Sequence, residues 1–132
     1  LAQIATVSSE RPVSVREIAE RQRISPKYLE QILKALKGAG FVRALRGKRG
    51  GYVLARPPES ITLRALYESL EGSLAPVECV DCAESCPMYA ACPTRDTWVE
   101  LKSAIGGVLE RTTVRDLAER IQPTASELTY HI

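Results

Sequence analysis

All four cysteines of the chain fall in one short stretch with the spacing C-x2-C-x3-C-x5-C: Cys79, Cys82, Cys86 and Cys92. Thiolates are soft ligands, and soft ligands select zinc, copper(I) or iron–sulfur clusters. Four thiolates could close a tetrahedron around zinc, but zinc sites usually pair two C-x2-4-C knuckles. Cys79-x2-Cys82 makes one, and Cys86-x5-Cys92 is a poor second. Pro87 follows Cys86 and Pro93 follows Cys92, which suits a cluster loop. Proline prevents helix formation there and leaves backbone N–H groups free to bond sulfur. The spacing therefore predicts metal ligation by Cys79, Cys82, Cys86 and Cys92. On these residues alone an iron–sulfur cluster, zinc and bare redox thiols are the open readings. A structural disulfide fits a reducing compartment least well. Glu78, Asp81 and Glu84 make the stretch acidic, so thiol pKa values are expected to rise and a bound cation to be needed to keep thiolates formed.

A second chemistry lies upstream. Residues 1–60 carry twelve Lys/Arg against five Asp/Glu, a balance of +7, whereas residues 61–132 carry six against eleven, a balance of −5. A polyanion such as DNA is attracted by the first half and repelled by the second. The length, 132 residues, allows one compact domain or a small domain with an extension. No apolar run is long enough to span a bilayer and no signal peptide is visible, so no membrane partner and a cytoplasmic location are the default expectations. A nucleophile–base pair and a phosphate-binding loop are both missing. The single histidine, His131, lies in the tail, so an enzyme is not expected.

These groups need elements to position them. Leu1, Ile4 and Ala5 share a helical face, as in the last turns of a helix. Ser14-Val15-Arg16-Glu17 has capping-box spacing and opens a short helix to about residue 22, with Val15, Ile18 and Ala19 as its buried stripe. Ser25-Pro26 starts a second helix, which ends at Gly38 and Gly40. Leu29, Ile32, Leu33 and Leu36 face its core side, and Lys27, Glu30, Gln31, Lys34 and Lys37 the other. Two short helices joined by Arg23-Ile24-Ser25 form a helix-turn-helix, whose second helix enters the major groove by its N-terminal residues. Residues 41–57 then read as two strands around Gly47-Lys48-Arg49-Gly50-Gly51, a basic wing whose tip can reach phosphate. The candidate DNA-binding residues are Ser25, Lys27, Tyr28, Glu30, Gln31 and Lys34 on the helix, and Arg46, Lys48 and Arg49 on the wing.

Thr62 caps a further helix that Gly72 ends. Residues 73–93 read as the cysteine loop. From about Thr94 a long amphipathic helix carries Trp98, Leu101, Ile105 and Val108 in steps of three and four, a coiled-coil seam and thus the candidate dimerisation surface. Gly106 and Gly107 weaken its C-terminal half. Thr113-Val114-Arg115-Asp116 starts a last short helix, and the tail after Pro123 is expected to be poorly ordered. The expected class is mainly α with a small β-hairpin wing, a winged helix-turn-helix followed by a long dimerisation helix. The expected segments are 1–72, 73–93, 94–122 and 123–132. One such reading head covers too little DNA for genomic specificity, so a homodimer on a near-palindromic double-stranded operator is expected.

The run Ile24-Ser25-Pro26-Lys27-Tyr28-Leu29-Glu30-Gln31, then Gly40-Phe41-Val42, then Arg46-Gly47 through Gly50-Gly51-Tyr52 resembles the IscR/NsrR-type winged-helix transcription regulators. So does Ile61-Thr62-Leu63 leading to Leu70-Glu71-Gly72. The likeness covers essentially the whole chain. It implies operator-binding homodimers, a long dimer helix, a cluster loop beside the DNA-reading domain, and a first helix about ten residues longer than here. It also implies that an N-terminal segment touches the DNA backbone and, in some members, lends a carboxylate ligand. Iron–sulfur members carry three cysteines about five to seven residues apart. Cys86 and Cys92 match the last two, and Cys79 or Cys82 the first. Two-iron members place a histidine three residues after the last cysteine, where this chain has Arg95; the resemblance therefore implies an iron–sulfur cluster that is either 2Fe-2S with a fourth thiolate in place of the histidine, or 4Fe-4S on three thiolates with an outside group completing the site. Together these features imply a repressor whose operator affinity follows redox, nitric oxide or iron status. A redox or electron-transfer component with an incidental basic face is the competing class.

Overall fold

The computed structural model describes residues 1–7 and 11–121. Among them the order is α1 (Ala2–Ala5), α2 (Val15–Gln22), α3 (Pro26–Gly38), β1 (Val42–Leu45), β2 (Gly51–Leu54), α4 (Leu63–Glu71), α5 (Arg95–Arg111) and α6 (Val114–Glu119), with four short 3-10 turns between them. The expected tail falls outside the described residues.

Helix starts follow the side-chain chemistry. Ser14 Oγ accepts from the Glu17 N–H at 3.1 Å, Ser25 Oγ from Tyr28 at 3.2 Å, and Thr62 Oγ1 from Ala65 at 3.1 Å. Each supplies a partner to an N–H that the helix leaves open, worth about 1 kcal/mol. The reciprocal capping box expected at Ser14 does not close, because the Glu17 carboxylate turns instead to Arg11 and Arg21, 3.8 and 3.4 Å away. The one complete box among the described residues is at α6. There Asp116 accepts from the Thr113 N–H at 2.7 Å while Thr113 Oγ1 accepts from the Asp116 N–H at 3.2 Å.

The chain divides into two compact units, residues 1–61 with 113 onward, and 62–112. This partition differs from the expected breaks at 72 and 93. Val114 is fully buried and its N–H donates to the Ile61 carbonyl at 2.9 Å, which ties α6 to the first unit. In that unit Ile18, Ala19, Leu29, Leu33, Leu36, Phe41, Val42 and Val53 form the core. Leu29, Leu33 and Leu36 lie on one face of α3 by helical spacing. Ile32 and Val15 are only half-buried.

The hairpin is a two-stranded antiparallel sheet in which Val42 pairs with Leu54 and Ala44 with Tyr52. Val13 adds a single bridge to Tyr52, with mutual N–H to carbonyl bonds of 2.9 and 2.8 Å. That bridge fastens the hairpin to the segment before α2.

In the second unit α4 packs along α5. Gly106 is the buried position of α5, where an added Cβ would stand 3.6 Å from Leu74 Cδ1 and 3.7 Å from Arg64 Nη1. Those are ordinary van der Waals separations, so packing does not require a glycine there. The paired glycines, expected to weaken the C-terminal half, do not interrupt it before Arg111.

Candidate nucleic-acid interface and cysteine loop

Helices α2 and α3 meet at a tight turn. The Ile24 N–H reaches back to the Ala19 carbonyl at 3.1 Å and the Arg23 N–H to Glu20 at 3.4 Å, the bonding pattern of a Schellman cap. It requires Arg23 to adopt a left-handed conformation, φ 53° and ψ 41°. Such a conformation costs a non-glycine residue about 1 kcal/mol or more.

Every residue expected to read DNA is on the surface of the first unit. Ser25, Lys27, Tyr28, Glu30, Gln31 and Lys34 are exposed along one side of α3, opposite its buried leucines, and Tyr28 is 57% exposed. The Ser25 hydroxyl doubles as the α3 cap. Arg46, Lys48 and Arg49 are exposed at the hairpin tip. Helix α3 passes into the hairpin directly, with the Phe41 N–H donating to the Leu36 carbonyl at 3.0 Å, so reading helix and wing belong to one packed body.

Charge pairing separates two groups of cations. On and before α2, Arg11, Arg16 and Arg21 are each paired with a carboxylate, Glu17 or Glu20. Arg23, Lys27, Lys34, Lys37, Arg43, Arg46, Lys48 and Arg49 have no ion-pair partner among the described residues. Unneutralised cations on the turn, helix and wing are what a phosphate backbone requires. Arg56, also on the hairpin, is used internally, stacked 4.9 Å over the Phe41 ring and donating to the Ala39 carbonyl at 3.4 Å. Arg23, Lys37 and Arg43 were not among the candidate contacts, although the sequence placed Arg23 in the turn, Lys37 on the polar side of α3 and Arg43 on the hairpin. Their lack of nearby acidic residues at helical spacing was a usable signal for the lysine alone.

The cysteine loop is built from three 3-10 turns, Glu78–Val80, Ala83–Ser85 and Tyr89–Ala91. Its backbone bonds are all short-range, such as Asp81 N–H to Glu78 at 3.1 Å and Ser85 N–H to Cys82 at 3.1 Å. All four cysteines are free; Cys82 is exposed and the others half-exposed. The donor set is chemically that of a soft metal or cluster. Among the described residues, however, no three Cys, His, Asp or Glu side chains gather around a point that could hold a metal ion. Holding one requires these turns to rearrange.

Local charge acts differently at Cys92 than the acidic composition suggests. Its thiol is held below the ordinary value, first by the Thr94 hydroxyl at 3.3 Å and then by the N–H groups of Thr94 and Arg95 and the Arg95 charge. The expected rise does not occur there, because the start of α5 supplies donors and positive potential. Arg95 also clamps the preceding turn. It donates to the Tyr89 carbonyl at 3.1 Å and lies 5.0 Å from the Tyr89 ring centroid. Asp81, between Cys79 and Cys82, bonds Lys102 on α5, and Lys102 and Ser73 together hold its carboxyl below the usual range. This tie went unforeseen, since neither residue belongs to a periodic pattern.

On α5, Leu101 and Val108 are 41% and 55% exposed, while Trp98 and Ile105 are half-buried. An apolar hollow of about 300 Å³ is lined by Ala104, Ile105, Val108 and Leu109. No helix among the described residues is long and apolar enough to cross a membrane.

A helix-turn-helix continued by a basic antiparallel hairpin defines a winged helix-turn-helix DNA-binding protein. The chain belongs to the Rrf2 family of transcriptional regulators, whose model, described as an iron-dependent transcriptional regulator, matches residues 1–120. It is 42% identical over 117 residues to protein rrf2 of Nitratidesulfovibrio vulgaris, covering 89% of this chain and 78% of that one. Two solved structures share the fold. One is CymR, the global cysteine regulator of B. subtilis, with a TM-score of 0.76, 35% identity, and 92% of this chain and 88% of that one covered. The other is T. potens IscR, with a TM-score of 0.73, 34% identity, and 98% and 86% covered.

Proposed function

We propose that this Rrf2-family regulator acts as a homodimer on a near-palindromic double-stranded operator, probed by α3 and the hairpin, with affinity governed by the cysteine loop. The observation that carries the reading is the concentration of eight cations without an ion-pair partner among the described residues on the turn, α3 and wing, beside a neutralised α2. Ser25, Tyr28, Glu30 and Gln31 are the base-reading candidates, and Lys27, Lys34, Arg46, Lys48 and Arg49 the phosphate contacts. The apolar residues exposed on α5 support Trp98, Leu101, Ile105 and Val108 as the dimer seam.

For the loop, the proposed ligand is an iron–sulfur cluster held by Cys86 and Cys92 with Cys79 or Cys82. The four free thiols, the prolines after two of them and the iron-dependent description of the family support it. When bound, it supplies a cross-link among thiolates that oxidation, nitric oxide or iron shortage removes. The residues of the loop do the rest: Arg95 fixes the turn before Cys92, and the Asp81–Lys102 pair joins the segment to the proposed dimer helix. A coupling of about 1–3 kcal/mol between loop and operator suffices for a useful switch.

A second reading, thiol sensing without a cluster, is favoured by the acidified Cys92 thiol and by the dispersed cysteines. Purification without oxygen, followed by iron and sulfide analysis and an absorption spectrum, separates the two. Iron, sulfide and visible absorption support the cluster; a colourless, iron-free protein whose DNA binding still responds to thiol oxidants supports the second. Operator titration of Cys86→Ala and Cys92→Ala then tests control by the loop, and affinities equal to wild type in both would refute it. Absence of any salt-dependent DNA binding would point to a redox component instead.

A further inference from the structure

Arg23 is the one non-glycine residue with positive φ among the described residues. A Schellman cap is glycine's usual place, since a Cβ is strained there and glycine's is absent. The chain nonetheless keeps a long cationic side chain at this position. That side chain is exposed and has no hydrogen-bond or ion-pair partner among the described residues, whereas Arg16 and Arg21 on α2 are neutralised. A cation at the C-terminal end of α2 is already supplied by Arg21 in that helix's last turn. The position is two residues before the Ser25 cap, at the end of α3 that enters the groove in this class of reader. A cation there reaches the phosphates flanking the groove rather than base edges.

We infer that Arg23 is a phosphate-contacting residue that positions the start of α3 on double-stranded DNA. The inference rests on the DNA-reading function proposed above. The strained backbone is kept for a partner that is not part of the protein, which is where such strain commonly accumulates.

The test uses the full chain and a fluorescently labelled random-sequence duplex of about 30 base pairs, titrated across salt. Four proteins are compared: wild type, Arg23→Gly, Arg23→Lys and, as a control on the wing, Arg49→Ala. Arg23→Gly is expected to melt at or above the wild-type temperature, because it relieves the left-handed strain. It should nevertheless bind with a slope of log affinity against log salt shallower by roughly 0.9 per protomer. Relative to wild type, that removes about a three- to four-fold effect per protomer between about 50 and 200 mM salt. Arg23→Lys should restore the slope. An unchanged slope in Arg23→Gly while Arg49→Ala is shallower overturns the role of Arg23 and leaves the DNA-reading function standing. A lower melting temperature for Arg23→Gly overturns it as well, because the residue would then be structural. Wild-type protein that binds this duplex with no salt dependence overturns both.

Discussion

Replacing Gly51 by alanine tests how the wing is held. A Cβ at this position would lie 2.6 Å from the Val13 carbonyl carbon and 3.0 Å from the Ser14 nitrogen, and would overlap the Val13 oxygen. These are backbone atoms, so no side-chain rotation relieves the clash, and β2 must move off the Val13 segment. The two Val13–Tyr52 backbone bonds then fail, at about 1 kcal/mol each. Val13, 1% exposed, loses part of its burial, about 1 kcal/mol more. The total of about 3 kcal/mol is a large fraction of a typical domain's stability. We expect a fall in Tm of about 10 °C, read by far-ultraviolet circular dichroism with a parallel urea titration. At a temperature where Gly51→Ala is still folded, the salt slope of duplex binding should also become shallower by about 2 per protomer as Lys48 and Arg49 lose their placement. A variant melting within about 1 °C of wild type with an unaltered slope would refute the argument that this bridge fixes the wing.

Two further outcomes are expected. Val108→Asp puts a charge at the C-terminal end of the exposed apolar face of α5 and should shift sedimentation velocity from dimer to monomer, with tight operator binding lost; a wild-type-like dimer would remove α5 as the seam. Asp116 has its carboxyl lowered from 3.8 by the Thr113 N–H and hydroxyl, so its contribution to stability is present above that value and lost as pH falls through the lower folded value. Asp116→Asn should therefore lose stability near neutral pH and flatten the acid limb of the stability profile, and a limb as steep as that of wild type would contradict this.

The helix starts were legible because each rests on a single side-chain oxygen at a fixed offset. Ser14, Ser25, Thr62 and Thr113 were all readable, and all four accept the expected N–H. The hairpin was legible from alternation and glycines, and Val42 and Ala44 do oppose Leu54 and Tyr52. Period-based reading fails where contacts are long-range. Neither the Val13 bridge nor the return of Val114 to Ile61 leaves any local trace. The 3-10 turns of the cysteine loop were read as plain loop, since single turns have no period to detect. Arg23 escaped notice because propensity disfavours arginine in a left-handed cap, and a position that breaks a local rule cannot be found by applying it. The exposed side of α3 was clear from the sequence, whereas the division between paired and unpaired cations depends on how the chain folds.

The loop's backbone bonds reach no further than four residues along the chain. Remaking it therefore breaks no β-ladder. Mutations among the exposed residues of this segment can retune, or replace, the chemical input without breaking a β-ladder. A scaffold with its variable chemistry confined to such a segment can acquire a new stimulus in few mutational steps, without first learning to fold again.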